Sequence, residues 1–193
     1  MTGRRQILTR RTLLGLLAAS VAAPPALAAD HPSLVQMRVI AKDLLNAHRQ
    51  GTVASFRRAI QRHAAVEEIA DYSLGQYKSK LPPGKRQLYY GGTATFMARY
   101  LADQSREFGI AKYELGDAEV DSNKEVLISS KVFLLSGQTY SVGWRLGWRG
   151  GRYKVIDVKV LGFSLIYMQR GLFTSFISKR NGDVTQLVAA LTR

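Results

Sequence analysis

The chain has 193 residues, of which 46% are apolar, 22% charged and 9% aromatic, a composition typical of one folded domain rather than of a disordered segment. It contains no cysteine, which excludes disulfide staples, cysteine-ligated metal centres and thiol catalysis. Lysine and arginine outnumber aspartate and glutamate by 28 to 14, so the formal net charge is +14.

The N-terminal segment has the pattern of an export signal. Four arginines in the first eleven residues precede an apolar run from Leu13 to Val21 and a small-residue cleavage motif at Ala26-Leu27-Ala28. Residues 9–14 resemble a twin-arginine motif, and the run is shorter than the ~20 residues of a membrane span. We predict a cleaved signal over residues 1–28 and a single periplasmic domain over residues 29–193. An uncleaved membrane anchor is the alternative.

The net charge that remains after cleavage of the predicted leader indicates the chemical class of the partner. The predicted leader holds four arginines and no acidic residue, so 24 basic and 14 acidic side chains remain and the mature chain keeps a net charge of +10. Outside the inner membrane the abundant polyanions are lipid headgroups. No helix-turn-helix or aromatic RNA-binding signature is present, so we predict no nucleic-acid partner.

The first half of the chain, up to about residue 110, has helical periodicity. The pair Gly91-Gly92 falls inside the last of these helices and predicts a kink or a close approach by another segment. The predicted helices begin at a capping box of Ser33 and Gln36, at Thr52, at Ala65 and after Pro82-Pro83-Gly84.

The period changes to two after residue 110. Apolar residues alternate from Val126 to Leu134, and a turn at Ser136-Gly137-Gln138 leads to the clearest strand of the sequence. In that strand one face is predicted to carry Tyr140, Val142, Trp144, Leu146 and Trp148. A second turn at residues 149–152 leads to a strand over Tyr153 to Leu161, whose Ile156, Val158 and Val160 add further apolar surface.

Two helices are predicted to close the chain. Ser164 is placed to cap the first, and Asp183 with Gln186 opens the second after Asn181-Gly182. The apolar stripe of the first helix is Leu165, Met168, Leu172, Phe173, Phe176 and Ile177. Helices, a strand meander and two further helices together predict an α+β domain, with a twisted antiparallel sheet and one apolar concave face.

The sequence contains no convincing catalytic constellation. His31, His48 and His63 lack the spacing that places two metal ligands on one helix face, and Gly162-Phe163-Ser164 lacks the second glycine of a nucleophile elbow. Asp157 lies alone among apolar strand residues, and we predict that it pairs with an arginine such as Arg145 or Arg170. We therefore predict no enzyme activity, no metal and no cofactor, with a general base at Asp157 as the alternative.

The aromatic and branched residues of the strands and helices are more numerous than a thin seam between sheet and helices requires. They form either a filled core or the lining of an apolar pocket for a small ligand or a lipid. The sequence pattern leaves both interpretations open.

Several stretches, in the same order along the chain, resemble the MlaC family, also called the toluene-tolerance auxiliary transport proteins. The resemblance is carried by Leu74-Gly75-Gln76-Tyr77, Phe96, Tyr100, Val142-Gly143-Trp144-Arg145-Leu146, Tyr153 to Val158, Gly162-Phe163-Ser164-Leu165, Arg170, Phe173 and residues 182–191.

The resemblance implies a curved sheet, similar to nuclear-transport-factor-like cones, wrapped by helices that enclose an apolar cavity. It also implies a periplasmic phospholipid carrier between an outer-membrane lipoprotein complex and an inner-membrane ABC transporter with an MCE protein, which maintains outer-membrane lipid asymmetry. A hopanoid (triterpenoid) is the alternative cargo, and a structural adaptor with a filled core is the alternative of another class. Expected lipid contacts are Tyr72 and Leu74 near the mouth, and Tyr77, Phe96, Tyr100, Val142, Trp144, Leu146, Val158 and Val160. Asp157, Gly162, Ser164 and Arg170 are expected to be scaffold.

Overall fold

The computed structural model describes residues 30–120 and 125–193. The predicted export signal and its cleavage motif lie outside the described residues. Within these ranges the helices are α1 (Pro32–Gln50), α2 (Val53–His63), α3 (Val66–Leu74), α4 (Arg86–Glu107), α5 (Leu165–Ser178) and α6 (Val184–Leu191). The strands are β1 (Ile110–Val120), β2 (Val126–Leu134), β3 (Thr139–Arg149), β4 (Arg152–Val160) and β5 (Phe163–Ser164), and short 3-10 segments at Gly75–Lys80 and Pro83–Lys85 join α3 to α4.

Three of the predicted helix starts are confirmed by their caps. The side chains of Thr52, Ser164 and Asp183 accept hydrogen bonds from backbone N–H groups of the first turns of α2, α5 and α6, at 3.1, 3.3 and 2.8 Å. Each satisfies a donor that the helix itself leaves without a partner. These caps are encoded within a few residues of sequence, which is why the sequence located them.

The predicted capping box of α1 is wrong. The helix begins at Pro32, so its N-cap is His31, two residues before the predicted cap at Ser33. The imidazole Nδ1 of His31 accepts the backbone N–H of Ser33 at 3.3 Å, so Ser33 lies inside the helix, where it is buried. Proline is well suited to the first helical position because its missing N–H would have no partner there.

The five strands form one antiparallel sheet in the order β1-β2-β3-β4-β5, which is a meander. Together with the helices on its concave face it confirms the α+β class and the curved sheet. Strand β1 was not predicted, because a register shift between Leu115 and Ala118 inserts one extra residue and interrupts the alternation of apolar and polar positions.

A second irregularity lies in β4. Arg145 of β3 is opposite Asp157, but the next residue, Leu146, is opposite Val155, so Ile156 has no partner across the ladder. The bulge means that Ile156 does not continue the row of Val158 and Val160, although the three residues were predicted to form one surface. Residues 64–65 cover the edge of β4, since the amide of Ala65 donates to the Val155 carbonyl at 2.9 Å.

The buried side chains of the described residues form three clusters. The α5–α6 cluster joins α3, α4, α5 and α6 and contains Ala70, Leu74, Leu81, Tyr89, Phe173, Ile177, Val184, Leu187, Val188 and Leu191. The α2–α4 cluster contains Ala47, Phe56, Ala59, Ile60, Ala64, Ile69, Ala94, Ala98 and Ala102. The sheet cluster packs α1 on the sheet and contains Leu34, Met37, Ile40, Ala41, Val126, Ile128, Leu146 and Val155.

The glycine pair in α4 marks a close approach, one of the two explanations predicted. A Cβ added to Gly92 would lie 2.8 Å from the Cβ of Leu191, so α6 reaches α4 at this position. Gly91 has no such neighbour, since the nearest atom to its Cβ position would be a guanidinium nitrogen of Arg57 at 4.0 Å. The two glycines therefore have different roles, although they are adjacent.

Only part of the stripe predicted for α5 is buried. Phe173 and Ile177 belong to the α5–α6 cluster, whereas Met168 and Leu172 are exposed. In their place the polar Gln169 is buried, and its Nε2 donates to the Ser73 hydroxyl of α3 at 2.7 Å. One face of α5 thus carries apolar side chains that the fold leaves in water.

Candidate functional site

The five sheet residues predicted to contact lipid share one face of the sheet. In the ladder between β3 and β4, Val142 is opposite Val160 and Trp144 is opposite Val158, while Leu146 is opposite Val155. Side chains two residues apart along a strand point to the same side, so these pairs form consecutive rows. This surface is the concave face, because its Leu146 row is covered by α1 in the sheet cluster.

Helix α1 covers only one end of the concave face. The rows beyond it contain Val132 opposite Tyr140 and Val142 opposite Val160, and none of these four belongs to the three clusters. Val142 is buried, whereas the other three are half-buried. We call these four residues the open end of the concave face. It offers an apolar surface that α1 leaves uncovered.

Polar groups beside the open end bond to one another. The indole N–H of Trp144 donates to the Ser130 hydroxyl at 2.9 Å, and that hydroxyl is 3.3 Å from the Val142 carbonyl, to which it donates. A buried indole N–H or hydroxyl without a partner would destabilise the fold by about 1–3 kcal/mol. Because these groups already have hydrogen-bond partners within the protein, an apolar ligand does not have to supply one.

The predicted lipid contacts on the helices lie elsewhere. Leu74 is buried in the α5–α6 cluster, and Tyr77 and Phe96 pack against it. The ring centroid of Phe96 is 5.1 Å from that of Phe173 in an edge-to-face arrangement. Tyr100 is exposed on α4. The structure therefore joins the five sheet residues but separates them from these four, whose contact with lipid stays a prediction.

Tyr72, predicted near the mouth, lies in an aromatic and cationic group beside α5. Its ring meets that of Tyr167 edge to face at 5.5 Å, and the Arg170 guanidinium lies 4.8 Å from its centroid. Hydrogen bonding to Tyr167, followed by burial, raises the pKa of the Tyr72 phenol above its usual value. Gly75, with φ of +54°, admits Arg170, whose Nε would be 3.1 Å from an added Cβ. Gly75 and Arg170, which belong to two separate stretches of the family resemblance, are therefore close neighbours.

Asp157 ties β4 to the start of α5. Its carboxylate accepts hydrogen bonds from the Ser164 hydroxyl at 2.7 Å and from the amides of Val158 and Ile166 at 2.8 and 3.3 Å. The predicted pairing with Arg145 or Arg170 is wrong, because Arg145 approaches Glu125 at 3.7 Å and Arg170 lies over Tyr72. Three donors to a buried carboxylate at a helix N-terminus indicate a scaffold role.

The histidines form no metal centre in the part of the chain that the structure describes, where no group of three or more potential ligands converges. His63 is buried, and its Nε2 is 2.7 Å from a carboxylate oxygen of Asp43. The hydrogen bonds from His63 and Arg62 lower the pKa of the Asp43 carboxyl. This cluster connects α1 to α2 and is distant in the chain from the residues of the concave face.

Two hollows lie outside the open end. One, of about 170 Å³, lies mainly on the opposite face of the sheet, although its lining includes Ile128 and Trp144 of the concave face; the other lining residues are Asp117, Glu119, Leu127, Ser129, Gly143, Arg145, Asp157 and Lys159. The other, of about 410 Å³, is an open cleft lined by Arg57, Gln87, Leu88, Gly91, Gly92, Thr95, Arg99, Leu191, Thr192 and Arg193. Both are partly charged, unlike the open end.

One functional candidate was missed by the sequence interpretation. The turn between β4 and β5 and the outer face of α5 expose large apolar side chains. Leu161 had been placed at the end of a strand, Met168 and Leu172 had been placed in the apolar stripe of the helix, and Phe163 and Tyr167 had been given no role. We call this surface the apolar patch, and its members are Leu161, Phe163, Tyr167, Met168 and Leu172. Its signal in the sequence is a leucine and a phenylalanine on either side of Gly162, where polar turn residues are usual.

The geometry defines a class of protein in which helices partly cover the concave face of a curved antiparallel sheet. The fold is similar to that of a phospholipid-binding protein from Ralstonia solanacearum, solved in complex with a phospholipid, with a TM-score of 0.67 and 20% sequence identity over 84% of this chain and 95% of that chain. The family described as MlaC protein matches residues 36–193. The chain belongs to the MlaC family, as its sequence motifs predicted. No curated protein matches it in sequence.

Among residues 30–120 and 125–193, none of the helices combines the length and the apolarity that crossing a bilayer requires.

Proposed function

We propose that this protein is a periplasmic lipid carrier that binds phospholipid acyl chains on the concave face of its sheet. It would shuttle the lipid between an outer-membrane lipoprotein complex and an inner-membrane MCE and ABC transporter complex, and so maintain outer-membrane lipid asymmetry. Family membership over residues 36–193 supports the class of function.

The observation that carries this proposal is the open end of the concave face. Val132, Tyr140, Val142 and Val160 lie in adjacent rows that α1 does not cover. Each CH₂ group moved from water onto such a surface stabilises the complex by ~0.8 kcal/mol, so an acyl chain supplies ample binding energy. A headgroup left in water would cost no desolvation and would allow release.

The direct test is native mass spectrometry, with organic extraction, of the protein purified from periplasm without detergent. We expect an adduct of phospholipid mass near one per chain. A triterpenoid mass would replace phospholipid by hopanoid as the cargo. A protein that stays free of adduct after incubation with liposomes would overturn the proposal and favour the adaptor with a filled core.

Two substitutions on neighbouring residues of β4 test the location of the lipid. Val160→Trp adds bulk on the concave face and should lower lipid occupancy by steric exclusion. Lys159→Trp adds the same bulk on the opposite face of the same strand, where Lys159 is exposed, and should leave occupancy unchanged. Equal occupancy in the two variants would refute the assignment to the concave face.

A second pair of variants uses the two tryptophans of β3. Trp144→Asp places a charge among the half-buried rows and should abolish lipid retention, whereas Trp148 is 55% exposed and Trp148→Asp should retain lipid. Circular dichroism of both variants shows whether they fold. The Val160 variant decides the question if Trp144→Asp does not.

A further inference from the structure

The five large apolar side chains of the apolar patch are all exposed to solvent. Its side chains are 57% exposed at Leu161, 70% at Phe163, 64% at Tyr167, 49% at Met168 and 59% at Leu172. Tyr167, Met168 and Leu172 lie on one arc of α5, and Leu161 and Phe163 precede that helix by a few residues. Contiguous exposed apolar surface of this kind marks an interaction site.

The backbone at the tip of the patch is unusual. Val160 is opposite Phe163, so Leu161 and Gly162 alone make the turn, with φ of 51° and 85°. Two positive φ values are the arrangement of type I′ hairpins, which favour asparagine before glycine. A leucine in the left-handed region is a genuine outlier. Leu161 is also exposed. Neither a preference for this backbone conformation nor packing explains why a leucine stands at this position, which indicates a functional constraint.

The chain is strongly basic, which favours an anionic partner. Lysine and arginine outnumber aspartate and glutamate by 28 to 14, and α5 carries Arg170 as its one charged residue. Apolar and aromatic side chains on an exposed turn and a helix face of a basic protein are the features of a segment that enters the interface of an anionic bilayer.

We infer that the apolar patch docks on the surface of an anionic lipid bilayer, with Leu161 and Phe163 inserted among the headgroups. This inference rests on the proposed function and adds to it where the carrier meets the membranes that hold the two complexes. Leu165 follows the tip and is half-buried, and Val160 precedes the tip and belongs to the open end of the concave face. A lipid handed over by a complex at the bilayer surface beside the tip would therefore have a short apolar path to the concave face.

The test is flotation of the periplasmically purified protein with vesicles of phosphatidylglycerol and phosphatidylcholine in equal parts. The double variant Leu161→Asn with Phe163→Ser removes the tip, and Leu135→Asn with Leu88→Ser removes two exposed leucines elsewhere. We expect the tip variant to bind at least roughly tenfold more weakly, since two side chains lose apolar contact, and the control to change by less than about twofold. Raising the ionic strength should weaken binding of the unaltered protein.

Unfolding is excluded as the cause by a single substitution at the turn. Leu161→Asn puts a residue that tolerates positive φ into the type I′ position, so its melting temperature should rise by about 2–4 °C while vesicle binding falls. A protein that is more stable and binds membranes less has lost a contact surface, not its fold.

Two results would overturn the inference. The first is vesicle binding by the tip variant equal to that of the unaltered protein. The second is failure of the unaltered protein to float with these vesicles although mass spectrometry shows bound lipid, which would assign the apolar patch to a protein partner. Lipid occupancy is measured separately, so a protein that floats but never carries lipid would refute the proposed carrier function and not the docking surface.

Discussion

The adjacent glycines of α4 allow a packing cost to be separated from a helix-propensity gain. An alanine at either position gains about 1 kcal/mol of helix propensity. At Gly92 the new Cβ would lie 2.8 Å from the Leu191 Cβ and 3.2 Å from the Leu191 carbonyl oxygen, where carbon atoms ordinarily approach to about 3.5–4.0 Å. The backbone of α6 would have to move, because no rotation of a side chain relieves the contact with the carbonyl.

The variant at Gly92 should therefore be less stable than the variant at Gly91. Overpacking of a buried contact costs about 1–3 kcal/mol, so Gly92→Ala should be neutral to about 2 kcal/mol destabilising after its propensity gain. Gly91→Ala meets only the mobile guanidinium of Arg57 at 4.0 Å and should stabilise by about 0.5–1 kcal/mol. The difference between the two variants, about 1–3 kcal/mol, isolates the packing term because the propensity gain is common to both.

Equilibrium urea unfolding of lipid-free samples measures this difference. Lipid must be removed first, since a ligand that binds only the folded state adds its own stabilisation. We expect the midpoints of the two variants to move apart while the dependence of the unfolding free energy on urea stays constant. A Gly92→Ala variant at least as stable as Gly91→Ala would refute the close contact between α4 and α6.

Three further outcomes follow from single contacts. Thr52→Ala removes the cap of α2 and should lower the unfolding free energy by about 1 kcal/mol in urea titrations, whereas Thr52→Ser should retain most of it. Asp157→Asn should cost about 1–2 kcal/mol through weakened hydrogen bonds and leave lipid occupancy unchanged; a lost chemical turnover would instead revive the general-base alternative. Hydrogen bonds from His63 and Arg62 lower the pKa of the Asp43 carboxyl. The ionised carboxylate therefore stabilises the fold fully at pH values above 3.8, the usual pKa of this group, and the contribution is lost as the pH falls through the lowered pKa. The stability difference between Asp43→Asn and the unaltered protein should therefore be full at neutral pH and vanish in strong acid, as measured by urea unfolding across pH.

Local features of this fold could be predicted because their causes are local. The cap of α6 needs only Asp183, whose carboxylate accepts from the Thr185 amide and from the Gln186 side chain within one turn. The alternation of β3 is equally explicit, because one face of a strand repeats every second residue. The bulges in β1 and β4 were not foreseen, since an unpaired residue such as Ile156 depends on the register of the neighbouring strand.

The candidate site could be predicted only in part for a related reason. Val142, Trp144, Leu146, Val158 and Val160 were predicted to lie together from strand periodicity alone. They share a face because the unforeseen bulge at Ile156 leaves Val158 and Val160 opposite Trp144 and Val142. Assignment of helix residues to the same pocket required knowledge of which helix faces the sheet. Apolar character alone does not carry that information, since it looks the same in a core, in a pocket and in an exposed patch.

Four of the residues that carry the family resemblance, Gly75, Asp157, Ser164 and Arg170, act on α5 rather than on the concave face. Asp157 and Ser164 fix the beginning of this helix to β4, and Arg170 in its middle fits against Gly75 only because that position has no side chain. Helix α5 in turn places Phe173 in the α5–α6 cluster and presents the outer half of the apolar patch. The orientation of α5 therefore sets the position of the apolar patch, proposed to meet the bilayer, relative to the sheet, proposed to hold the lipid. The contacts of Asp157, Ser164 and Arg170 fix this position, while the open end of the concave face remains free to differ in shape, and so in the lipid that it binds.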